Sequence, residues 1–229
     1  MLPILIMLLL VLLWIYSEQY NKYAQDLLRE ELGEIPNVYV KRRNGYYAEI
    51  DRLYVLPQGI VAVYEPKTGK GEISGAEGRA SWIVFSVILD RKNHFPSPLT
   101  INNSNIYALK EVLRGINPDT RYFSVVMFRQ GNIIKSMKLN AKKDDITQYV
   151  IETRNLAKTL RNIMKNHGTV LNNSEVYGLR DYFKSLSKQN DGVHCPICGA
   201  SLTPFQKNRM TPKYLHCANF PNCKYSRLE

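Results

Sequence analysis

Four cysteines, all between residues 195 and 223 of a 229-residue chain, carry the most specific chemical signal in the sequence. Cys195 and Cys198 enclose two residues, Cys217 and Cys223 enclose five, and eighteen separate the pairs. Four thiolates so close in sequence can complete a tetrahedral shell around structural Zn²⁺, at ~2.3 Å each. A module this small has little core, so metal affinity must supply much of its folding free energy. Four cysteines are too few for a disulfide scaffold in a chain of this length. Cys195 and Cys198 also lack the strand–helix setting of a thioredoxin-type redox pair. His194 and His216 adjoin the ligands, but four sulfurs already saturate the site and leave the imidazoles outside it.

A second constellation is acidic. In the run Tyr47-Ala48-Glu49-Ile50-Asp51 the two carboxylates lie two residues apart, on one side of a strand. Thirteen residues separate Asp51 from Glu65-Pro66-Lys67. Two carboxylates and a lysine at the ends of adjacent strands can hold Mg²⁺ or Mn²⁺ and position water against a phosphodiester. The metal would lower the pKa of the bound water and offset developing charge, and the lysine would orient or activate that water. On spacing alone, a solvated hairpin with cross-strand salt bridges is the default for such residues.

The elements that must position these groups follow from periodicity and punctuation. Residues 17–32 have helical spacing at Tyr20, Leu27, Leu28 and Leu32 and are ended by Gly33 and Pro36. Strands are predicted over 37–41, 46–55 and 60–65, the last two joined by a Pro57-Gln58-Gly59 turn. A glycine-spaced turn over 69–75 leads into a short strand, and another strand is predicted over 82–89. A helix over 104–113 and strands over 122–128 and 133–139 follow. Val150, Ala157, Leu160 and Met164 form one stripe of a charged helix over 144–164, and 177–186 predicts another helix. Gln189-Asn190-Asp191-Gly192 is a polar linker into the cysteine module. This order argues an α/β protein, a mixed sheet flanked by helices.

The first sixteen residues, MLPILIMLLLVLLWIY, are uncharged, with Pro3 where a first helical turn tolerates it. Such a helix reaches ~24 Å, short of a ~30 Å hydrocarbon core. Trp14 and Tyr16 suit the headgroup boundary, and Tyr20 and Lys22 extend the span by snorkelling. A cleaved signal peptide would want a basic start and a small-residue cleavage site, and neither pattern is present. Lys22, Arg29, Lys41, Arg42 and Arg43 follow the segment, so the positive-inside bias predicts a single-pass anchor in the cell membrane with the bulk of the chain in the cytoplasm. A reducing compartment agrees with thiols used for metal. The net charge of +11, with a pI near 9.4, favours an anionic partner such as nucleic acid or an acidic membrane surface.

Two resemblances extend these readings. CPICGASLTPF followed by YLHCANFPNCKYS resembles the C-terminal four-cysteine zinc finger of bacterial type I topoisomerases, which implies binding of single-stranded DNA. Lys207, Arg209, Lys213, Lys224 and Arg227 would meet phosphates, interleaved with the rings of Phe205, Tyr214, Phe220 and Tyr225. Of these rings Phe220, and with it Tyr214, is expected to pack the small core, leaving Phe205 and Tyr225 for stacking.

GYYAEIDRLYVLPQGIVAVYEPKTGKGEISG, with Trp82 and Phe95-Pro96-Ser97-Pro98-Leu99, resembles the nuclease-related domain, a branch of the PD-(D/E)xK nuclease-like group. That resemblance implies a restriction-endonuclease-like fold, with Asp51 as main metal ligand, Glu65 as the second and Lys67 as catalytic lysine. Glu18 corresponds to the family's helix glutamate, and Glu49 to the variable first position of its (E/Q)ID strand. The chain departs from the pattern with Ser97-Pro98 for Asn-Pro, Ile101 for a glutamine and Asn105 for a histidine.

The expected organisation is an anchor over 1–16, a nuclease-like domain over 17–140, a helical connector over 141–192 and a zinc ribbon over 193–229. Two functions follow: a membrane-anchored, metal-dependent nuclease acting on single-stranded or structured DNA, or a tethered DNA-binding protein that does not cleave.

Overall fold

The computed structural model describes Met7 and residues 30–86, 88–115, 119–129, 131–138, 142–143, 145–206 and 213–228. Among them, no helix is long and apolar enough to cross a membrane. The expected anchor lies outside the described residues apart from Met7, as does Glu18.

Residues 30–32 are helical, and three strands follow: β1 (Ile35–Lys41), β2 (Tyr47–Leu56) and β3 (Gly59–Tyr64). They pair antiparallel in sequence order, with Val38 opposite Ile50 and Arg52 opposite Val63. β3 then pairs parallel with β7 (Tyr122–Phe128), and β7 parallel with β10 (Ile146–Glu152). With β9 (Lys142–Lys143) the order in this mixed sheet is β1-β2-β3-β7-β10-β9. Every residue of β7 is buried, as expected of a strand covered on both faces.

Helices lie on both faces. α1 (Pro98–Leu113) and α3 (Asn173–Ser185) cover one with Ile106, Leu109, Val176, Leu179 and Phe183. α2 (Leu156–Asn166) covers the other with Leu156, Leu160 and Ile163 against Val61, Phe123 and Val125. Ser97 caps α1, its hydroxyl accepting from the N–H of Thr100 at 3.4 Å, with Pro98 at the first helical position. The Ser-Pro step therefore starts the helix as an Asn-Pro step would.

A smaller sheet, in the order β6-β5-β4-β8, comprises β4 (Gly71–Ala76), β5 (Ser81–Ser86), β6 (Arg91–Pro96) and β8 (Asn132–Lys138). The strand expected over 82–89 is β5, which ends at Ser86; residues 88–90 turn the chain into β6, its antiparallel partner. Trp82 joins this sheet to the main core: it is fully buried, stacks on Phe128 at 6.3 Å and meets Phe95 edge-on at 6.5 Å. Gly75 is the reason the indole fits, since a Cβ there would come within 2.3 Å of the ring.

Two expectations for 141–192 are corrected. The charged helix predicted over 144–164 divides, because Ile146–Glu152 is the strand β10 and only Leu156–Asn166 is helical. The β-branched and aromatic content of ITQYVIE favours a strand, and β7 supplies its ladder. Nor is the segment a mere connector. Arg180 of α3 donates to the carbonyls of Val55 and Leu32 at 3.0 Å each, and Ser187 bridges to Val38. The cysteine module forms the last sheet, β11 (Leu202–Phe205), β12 (Tyr214–Cys217) and β13 (Ser226–Leu228), in that order.

Candidate functional site

Tyr47, Glu49 and Asp51 alternate along β2 and all line one cleft of about 950 Å³, while Ala48 and Ile50 point into the core on the opposite side. Glu65, Pro66 and Lys67 leave the end of β3 and line the same cleft, which Tyr64, His94, Phe95 and Asn105 help to complete. The backbone N–H of Glu65 donates to Oδ2 of Asp51 at 2.7 Å, joining the two halves of the acidic motif directly. Pro66 lies beyond the strand, so its missing N–H interrupts no ladder.

Burial pushes the Asp51 carboxyl up to about 7, and the nearby Glu49 and Glu65 charges act in the same direction. The Glu65 N–H and the Lys67 charge oppose them. An acid held neutral by its surroundings gains most from a cation, because charge on the carboxylate is what the site penalises.

Glu65 already has cationic partners. Its Oε1 accepts from Nε of Arg129 at 2.5 Å and its Oε2 from Nη2 of Arg52 at 3.3 Å. Arg52 also approaches Glu34 at 3.8 Å, and Glu34 accepts from the Tyr54 hydroxyl. Arg129 directly follows β7, the parallel neighbour of β3, so the residues just past both strands meet at one end of the sheet. Motif spacing contains no trace of either arginine; only strand adjacency does.

Glu49 has a different task from the one its motif position implies. Its Oε2 accepts from the Tyr225 hydroxyl at 3.0 Å, and its Oε1 from Asn190 Nδ2 at 3.0 Å and the Tyr39 hydroxyl at 3.4 Å. Asn105, in the family's histidine position, donates to the Glu49 carbonyl at 2.7 Å. Tyr225 ties Glu49 to the cysteine module, and with Asn190 and Tyr39 it occupies the carboxylate oxygens a metal would otherwise meet.

The four cysteine sulfurs lie within 4.8 Å of one another, with Cys195–Cys223 at 3.7 Å and Cys198–Cys217 at 3.4 Å. Four thiolates at ~2.3 Å from a shared zinc would stand about 3.8 Å apart, so this donor set fits a structural metal. Gly199, at φ +77°, turns the first knuckle so that its N–H reaches the Cys195 carbonyl at 2.8 Å. Burial pushes the thiols of Cys195, Cys217 and Cys223 up, while the Ala200 N–H draws Cys198 down. Neither adjoining histidine joins the group of sulfurs: His194 Nδ1 meets Asp191 at 2.6 Å, and His216 packs among Phe205, Tyr214 and Phe220.

The rings exchange the roles expected of them. Phe220 is half exposed, as is Phe205, whereas Tyr225 is fully buried and meets Tyr39 edge-on at 5.7 Å. A phenol whose hydroxyl finds a carboxylate on the core sheet can be buried where a phenylalanine in the turn cannot. Lys224 instead reaches the exposed turn between β1 and β2, donating to the Asn44 carbonyl at 3.3 Å and lying over the Tyr46 ring at 5.8 Å. Arg227 donates to Asn190 Oδ1 and to the Gly192 carbonyl, and Lys213 is exposed at the cleft. Lys207 and Arg209 lie outside the described residues.

A mixed sheet with helices on both faces, a buried aspartate on one strand, and a glutamate and lysine just past the next, is a nuclease-like α/β architecture. The family model of the nuclease-related domain matches residues 15–129, and the chain belongs to that family. The match includes Asp51, Glu65, Lys67 and Arg129 and stops before β10 and the cysteine module. Comparisons with curated proteins and with solved structures find no match.

Proposed function

We propose that this is a membrane-anchored DNA-binding protein whose cleft hydrolyses phosphodiesters with Mg²⁺ or Mn²⁺. Asp51 and Glu65 would hold the metal, and Lys67 would orient the attacking water. The observation that carries this reading is the convergence of the three side chains on one cleft, with Glu65 N–H bonded to Asp51. When bound, the divalent ion would supply an activated water and offset charge on the phosphate. The chain's own contribution is to hold the Asp51 carboxylate against Glu65 and to keep the Lys67 ammonium beside it. The four cysteines would bind structural Zn²⁺, and the module's exposed Phe205 and Lys213 would hold single-stranded DNA. Residues 1–16 would anchor the chain, leaving the cleft in the cytoplasm.

A second reading, DNA binding without cleavage, rests on the pairing of Glu65 with Arg52 and Arg129. Those two guanidinium groups hold the oxygens a metal would need. The deciding experiment incubates the full chain, in detergent and loaded with zinc, with labelled single-stranded, duplex and nicked DNA, with and without Mg²⁺ or Mn²⁺. Metal-dependent cleavage that disappears in Asp51→Asn is the expected result. DNA retention with no cleavage under any metal would leave the second reading in its place.

A further inference from the structure

The cleft that contains Asp51 is not built by the nuclease-related domain alone. Lys213, Tyr214, Ser226, Arg227 and Leu228, all from the cysteine module, line it together with Asp51, Glu65 and Lys67. Arg227 Nε is buried without a hydrogen-bond partner, although both terminal nitrogens are engaged.

The module is held in this position by specific contacts. Tyr225 donates to Glu49, two residues before Asp51 on the same face of β2. Asn190 completes the contact, donating to both Glu49 and the Tyr39 hydroxyl. Tyr39 belongs to the same apolar cluster as Cys195, Cys217, Cys223 and Tyr225, so the metal centre and the docking contact share one small core. The order of the module and the shape of the cleft are therefore linked.

We infer that the metal-loaded cysteine module is the second wall of the nucleic-acid cleft, and that its docking through Tyr225 and Glu49 restricts that cleft to single strands. This rests on the single-strand reading above and adds that the docked module is part of the cleft and that the Tyr225–Glu49 contact sets the preference. At about 950 Å³ the cleft lies at the upper end of ligand-site volumes, ~300–1,000 Å³, and is lined by both the domain and the module. Lys67 of the domain and Lys213 of the module would meet phosphates, and Tyr64, Phe95 and Tyr214 offer rings. Rings can stack only on bases that are unpaired and splayed, whereas a duplex presents backbone and groove edges. Glu49 and Tyr225 are positioning residues here; neither needs to touch the nucleic acid.

The test uses the full chain in detergent at fixed ionic strength, without added Mg²⁺, titrated into a short labelled oligonucleotide as a single strand and as a duplex. The wild type is expected to bind the single strand more tightly. In Tyr225→Phe, which keeps the ring, the preference is expected to fall about tenfold, the scale of one lost hydrogen bond to a charged group. Glu49→Gln should do the same from the other side of the contact, with bound zinc remaining at wild-type stoichiometry. The double variant should show little more loss than either single, because both break one contact. Equal binding of single strand and duplex by the wild type would overturn this inference and leave the nucleic-acid reading standing. An unchanged preference in both variants, while hydrogen exchange reports release of Tyr39 and β2, would also overturn it. Failure of the wild type to bind any nucleic acid would overturn both.

Discussion

The two candidate metal sites are assembled in opposite ways. The cysteine centre would take its four ligands from 29 consecutive positions, and its sulfurs already stand within 4.8 Å of one another. The acidic cleft draws Glu49, Asp51 and Glu65 from β2 and the end of β3, and each carboxylate has a prior partner from elsewhere in the chain: a phenol, a backbone N–H and two guanidiniums respectively. A local site can be complete as soon as its metal arrives. A site assembled by strand pairing must instead exchange existing contacts for the metal, so its strength is set by what it gives up.

The largest effect expected from this contrast is at the local site. Cys195→Ser should abolish stoichiometric zinc and unfold the module, since such centres derive most of their folding free energy from the metal. Elemental analysis and loss of exchange protection over 195–228 would show it, and retained protection without zinc would contradict the metal-dependent picture. Next is Trp82→Ala. Removing the fully buried indole should cost ~3–5 kcal/mol, read from denaturant midpoints. The β5–β6 wall of the cleft should loosen while zinc content stays unchanged.

A pH dependence comes third. Folding raises the Asp51 carboxyl to about 7 from ~3.9 in an unfolded chain. Between those values the folded state binds more protons, so stability of the magnesium-free protein should fall as pH rises from about 4 to 7. Asp51→Asn should remove that part of the slope, and Mg²⁺ should restore stability to the wild type alone above pH ~7. Identical slopes in both proteins would mean that Asp51 is not held neutral.

The smallest stability change belongs to Arg129→Ala. Its side chain is 71% exposed, so folding should weaken by ~1 kcal/mol or less. If Arg129 competes with metal for Glu65, calorimetry should show severalfold tighter Mg²⁺ binding. Unchanged affinity would remove Glu65 from the ligand set.

Legibility followed the same local-versus-distant divide. β7 matches its sequence-predicted bounds because a continuous apolar run flanked by polar residues needs no partner to be recognised. The hairpin of β2 and β3 was likewise evident from its Pro57-Gln58-Gly59 turn. β10 was hidden inside a helical pattern, since the stripe of α2 extends backwards by chance and only pairing with β7 makes Ile146–Glu152 a strand. The exchange between Phe220 and Tyr225 was equally invisible, because composition cannot tell which ring will find a carboxylate on another domain.

Residue type and short spacing determined the cysteine centre, the EID strand and the E-x-K that follows it, since these depend on periods of two to a few residues that any local chain must obey. Tertiary structure decided what those groups face. It set Arg52 and Arg129 against Glu65, turned Glu49 into a docking point, and placed the cysteine module across the cleft. Those contacts join positions up to 176 residues apart, and their free energies exist only once parallel strand order and domain packing have brought the partners together.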